Sequence, residues 1–142
     1  MTKGIDGMIR LHKWQLDEKR RQLTELETMR DDLLARKEDL AKQLVAEQEK
    51  VASSQVVNIS YASFATAVAQ RQENLMGSLA EIEASIEEMK DQVSESFKEL
   101  KKYEVVEQRE RERQMAKENR RQQADLDELA IQMHRRNKMR AS

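Results

Sequence analysis

The sequence predicts an all-α protein: a two-helix antiparallel coiled-coil hairpin whose longer second helix overhangs the N-terminus. Three observations predict it. Charged residues make up 37% of the 142 residues and aromatic residues 4%, too little apolar material for a globular core but enough for a helix–helix seam. Proline is absent and glycine occurs three times, which disfavours a turn-rich β fold and leaves long helices uninterrupted. Heptad ladders then stand on either side of one uncharged interruption, Ala52 to Ser60, whose Ser, Asn and β-branched residues suit a helix poorly. The expected organisation is a single coiled-coil domain over 1–142, with helix one about 5–52, a hinge about 53–59 and helix two about 60–138.

Met1 to Gly7 are expected to fray, because Gly4 and Gly7 weaken helix nucleation. Helix one then carries two rows: Ile9, Leu16, Leu23, Arg30, Lys37, Leu44, Val51 and His12, Lys19, Leu26, Leu33, Leu40, Glu47. Leu11 and Trp14 point away from this seam. They either pack on the terminus or fill a local register shift, or they form a protein-binding patch, since an exposed Trp is a common interface anchor.

In the interruption, Val56, Val57 and Ile59 have no seam partner, and Tyr61 and Phe64 follow within a turn or so. They would cap the open end of the coiled coil, serve as a docking tip, or both. Helix two has rows Tyr61, Val68, Leu75, Ile82, Met89, Ser96, Tyr103 and Ala65, Gln72, Leu79, Ile86, Val93, Leu100. Folded about the interruption, these face the first helix: Leu44 opposite Val68, Leu26 opposite Ile86, Leu33 opposite Leu79, Ile9 opposite Tyr103, His12 opposite Leu100. Lys19, Arg30 and Lys37 are misfits whose aliphatic stems would lie on Val93, Ile82 and Leu75. Gly77 falls at an outward position.

After Tyr103 the apolar rows stop. Glu107 to Asp125 are almost wholly polar yet strong in helix propensity, and helix one has run out, so a solitary helix of about 30 residues is expected to project past the N-terminus. An apolar stripe returns at Leu126, Leu129, Ala130 and Met133, followed by a basic run from His134 to Arg140. It reads as residual amphipathicity, self-association, or insertion into a partner. Signs of charge are unevenly placed. Met1 to Arg21 hold six Lys or Arg against three acids, and His134 to Ser142 hold four against none. The fold-back brings both basic segments to one pole of the expected rod.

The residues point away from catalysis. There is no Gly-rich phosphate loop, no Ser or Cys beside a base and no pocket in which to retune a carboxylate, so no catalytic, cofactor or metal residues are assigned. His12 and His134 do not pair in the fold-back. With no cysteine there is no disulfide framework, in keeping with a reducing cytoplasm. No apolar run is long enough for a signal core or a membrane span, so no direct membrane insertion is expected. Nucleic acid is not an expected partner, because acids interleave the basic residues of Glu107 to Arg113.

Four segments carry a family resemblance: Leu11 to Gln22, Tyr61 to Leu75 with its Gln70-Arg-Gln-Glu-Asn-Leu75, Glu99 to Arg111, and Gln123 to Ala130. In this order, at this chain length, the sequence resembles the FliJ family of flagellar export proteins, and its alphaproteobacterial branch most closely. The resemblance implies a non-enzymatic role in flagellar type III protein export: a stalk in the hexameric ring of the export ATPase, linking it to the membrane export gate and assisting export chaperones. It implies a cytoplasmic protein held peripherally at the inner-membrane face of the flagellar base, monomeric when free, and in the service of motility and chemotaxis. By that analogy Arg10, Leu11, Lys13, Trp14, Leu126, Leu129, Met133, Arg135 and Arg136 would engage the ring. Val56, Val57, Ile59, Tyr61 and Phe64 would face the gate. The competing readings are a virulence-type secretion stalk, and a structural coiled-coil dimer whose helices run straight through the interruption.

Overall fold

The computed structural model describes residues 2–53 and 59–141, with side chains from Gly4 to Ser53 and from Ser60 to Ala141. The chain is all-α, with no strand among the described residues. Helix α1 spans Thr2–Ala52 and α2 spans Ile59–Ala141, and they pack antiparallel as the heptads require. Residues 54–58, with the expected turn, lie outside the described residues.

Helix α1 starts earlier than its glycines suggest. Each of Gly4 and Gly7 costs a helix about 1 kcal/mol relative to Ala, yet both are helical. Half-buried Ile5 and buried Ile9 follow them, and apolar burial of that kind outweighs propensity. At the other end the Ser53 amide donates to the Glu49 carbonyl at 3.1 Å and the Ser53 hydroxyl to the Lys50 carbonyl at 2.9 Å. Both bonds occupy carbonyls that a helix end would otherwise leave to water.

The chain divides into two compact units. The first to consider is Trp14–Phe97. Leu16, Val68, Leu79 and Ile86 are buried there, Val68 most completely at 1% exposure. Every other member of the four heptad rows within this unit is buried or half-buried, apart from Lys37. Lys19 and Arg30 are half-buried, which suits stems laid on apolar neighbours with their charges reaching water. Lys37 is exposed, and Leu33, Leu40 and Leu75 line an open groove of about 520 Å³ flanked by Arg36 and Arg71.

The other unit comprises Met1–Lys13 and Lys98–Ser142. Its core is Ile9 and Leu100, both buried, together with a ring stack of His12 on Tyr103 at 4.7 Å and 24°. The heptad reading set Tyr103 against Ile9 and His12 against Leu100. Long helical side chains lean toward their own N-termini, so in an antiparallel pair two rings meet diagonally and not straight across. Glu104, Glu107 and Glu110 extend the half-buried face of α2, and from Arg111 to Ala141 every residue is exposed.

Candidate partner-binding surface

Two conditions end the packing within the terminal unit. Helix α1 is described from Thr2 onward, and its last buried residue on this side is Ile9. The seam rows of α2 also turn polar when continued, reading Glu107, Gln114, Arg121, Glu128, Arg135 and Glu110, Lys117, Ala124, Ile131, Lys138. A helix lacking an apolar partner must hold itself by propensity and by neighbouring charges one turn apart. Glu107 pairs with Arg111 and Glu110 with Arg113 at 3.7 Å, acid before base, the order that also suits the helix dipole. Gln108 donates to Glu112 at 3.5 Å and Gln123 to Asp127 at 3.1 Å.

On this solitary helix the apolar stripe stands clear of its own fold. Leu126 is 59% exposed, Leu129 53% and Met133 57%, with Ala130 exposed between them. Apolar side chains on one face of a helix, unmatched within the unit, have the form of a contact surface. Arg135, Arg136, Lys138 and Arg140 follow without an acid among them; they suit the negative end of the helix dipole and set the sign of charge a partner would meet there. Arg10, Leu11 and Lys13 of the same unit are all exposed. Beside the end of α1 a shallow groove of about 510 Å³ is lined by Ile9, Lys13, Glu107, Arg111 and Met115 among others. The heptad rows did not reveal this groove, because it lies along the flank where they give out.

Trp14, the first residue of the other unit, is 63% exposed. The proposed gate residues divide. Tyr61 and Phe64 are half-buried, Val56 and Val57 lie outside the described residues, and Ile59 is helical. Half-burial of both aromatic rings favours a capping contribution to this unit, with part of each ring left accessible.

Among the described residues no cluster of three or more His, Cys, Asp or Glu side chains could hold a metal ion. His12 is occupied by the stack on Tyr103, and His134 is exposed. Both grooves are open clefts along helix pairs, lined by flexible charged side chains, and offer nothing to exclude water from a reacting group. Among the described residues no helix is long and apolar enough to cross a membrane. What the surface offers is shape, charge and a line of apolar side chains, the means of protein recognition.

A family model described as flagellar FliJ protein matches residues 12–139. No curated protein and no solved structure matches the chain.

Proposed function

Because the chain belongs to the flagellar FliJ protein family and is thus a structural component of the flagellar type III export apparatus, we propose that it serves as the stalk of the export ATPase. In this reading α2 beyond Arg111 enters the ATPase ring, presenting Leu126, Leu129 and Met133, with Arg135 and Arg136 meeting acidic groups on the inner wall. Arg10, Leu11, Lys13 and Trp14 make a second line of contact. The observation that carries the reading is the exposed apolar stripe on a helix with no packing partner of its own. A surrounding ring supplies the cover that such a helix lacks.

Residues Val56, Val57, Ile59, Tyr61 and Phe64 contact the membrane export gate, and the same protein attends the export chaperones. The stalk then acts by contacts that differ between ATPase subunit states, so hydrolysis biases engagement of the gate. This places the protein in the cytoplasm at the inner face of the flagellar base.

The test uses the full chain and the purified ATPase. Leu129→Asp, far from the packed seam, should leave helicity and unfolding midpoint unchanged while weakening ATPase binding at least ~10-fold, the effect of about 1.4 kcal/mol. Undiminished binding would remove the stripe from the interface. Val57→Asp should spare ATPase binding and reduce gate binding and swimming, and normal swimming would dismiss the tip.

A further inference from the structure

The stripe belongs to a longer pattern that the seam conceals. Counting three and four residues alternately, α2 reads Val105, Gln108, Glu112, Met115, Asn119, Gln122, Leu126, Leu129, Met133, Arg136, Arg140. This is a second heptad frame, apolar at five of its eleven positions, displaced from the seam positions Leu100, Tyr103, Glu107 and Glu110. Its apolar members Val105, Met115, Leu126, Leu129 and Met133 are all exposed. A heptad face of this kind, left open along one side of a helix, calls for another helix.

We infer that the free protein pairs through this face with a second copy of itself, the two solitary helices lying antiparallel and centred between Asp127 and Glu128. Two features support this pairing and its orientation. The first is like-charge avoidance. A parallel pair in register would set Glu112 against Glu112, Arg136 against Arg136 and Arg140 against Arg140 in its core, each a repulsive contact. The antiparallel pair sets Leu126 against Leu129, Gln122 against Met133, Asn119 against Arg136 and Met115 against Arg140, with no like-charge layer.

The second feature is the flanks. Ala116, Gln123, Ala130 and Asn137 border the face on one side, all uncharged and small at the two alanines, so no like charges meet along that flank. On the other side Asp125 comes beside Gln132 of the second copy, and Glu118 lies near its Arg136. The contact closes on itself as a twofold interface. Few of the facing residues are apolar, so the dimer is a weak one that dissociates on dilution, reconciling it with a monomeric stalk at working concentration. It uses Leu126, Leu129 and Met133, so self-pairing and ring entry exclude each other. The inference stands on the helix alone and does not depend on the ring.

The natural absence of cysteine makes the test direct. Two single variants of the full chain, Gln123→Cys and Ala130→Cys, are oxidised separately and as a mixture at high protein concentration. The antiparallel pair predicts a disulfide dimer in the mixture joining one variant to the other, with each variant alone remaining largely monomeric. Sedimentation equilibrium of the unmodified chain should show apparent mass rising toward twice the monomer value with concentration, and Leu129→Asp should abolish that rise at unchanged helicity. A monomer at every concentration, or disulfides that join each variant to itself, would overturn the inference. Since no ATPase is present, neither result bears on ring binding.

Discussion

The unit Trp14–Phe97 and the terminal unit use the same polymer, a long charged helix, in opposite ways. In the first, both helices spend their heptad rows on each other: Leu16, Val68, Leu79 and Ile86 are buried, and exposed charges such as Glu38–Lys42 at 3.4 Å and Glu87–Lys90 at 3.3 Å decorate the outside. In the second, packing is confined to a few turns around Ile9, Leu100 and the His12–Tyr103 stack, and the 31 consecutive residues 111–141 are all exposed. The difference teaches where to look for function. An apolar side chain already satisfied within the fold says little about partners, whereas Leu126, Leu129 and Met133 have no internal reason to be apolar.

The comparison breaks most visibly at Val68. Val68→Asp places an unpaired carboxylate in the most closed site of the first unit and should cost roughly 3 kcal/mol or more, read as a fall in the urea midpoint of helix unfolding. The same change at Met133 should shift that midpoint by less than about 0.5 kcal/mol. Equal effects would show that the solitary helix is packed after all.

Glycine offers a smaller and opposite effect. A Cβ at Gly77, Gly4 or Gly7 would meet nothing within 4 Å, so Ala at each should stabilise its helix by up to about 1 kcal/mol. Gly77→Ala, inside a packed unit, should raise the global midpoint; Gly4→Ala, near the helix start, should act mainly on local amide exchange. Smallest is the loss of a single ion pair, that of half-buried Glu107 with exposed Arg111. Glu107→Gln, which unpairs Arg111, should cost about 0.3–0.5 kcal/mol, seen as faster amide exchange in the solitary helix and fading in high salt. Amides over 111–141 should exchange faster than those around Val68 in every variant.

Much of the first unit was legible in the sequence because a coiled coil writes its packing as a period. The rows through Leu16, Val68 and Ile86 were readable one residue at a time, and so was the outward face of Gly77. The diagonal His12–Tyr103 stack escaped because its geometry depends on the lean of two rings, which no row of letters encodes. In the terminal unit the loss of apolar rows after Tyr103 announced the solitary helix. The groove beside Ile9 and Met115 was not legible, since it arises where two patterns overlap. The ring and gate assignments came from family likeness joined to geometry, and a heptad has no vocabulary for naming a partner.

The uniform exposure of 111–141 has a consequence for sequence drift. In most of a folded chain a position resists change for two reasons that are hard to separate, internal packing and external duty. Along this helix the first reason is weak. Substitutions there that keep helix propensity and the one-turn pairs should disturb the fold little, so selection acts mainly through whatever touches the helix from outside. Among relatives, the residues of this stretch that refuse to vary would trace the outline of the partner itself.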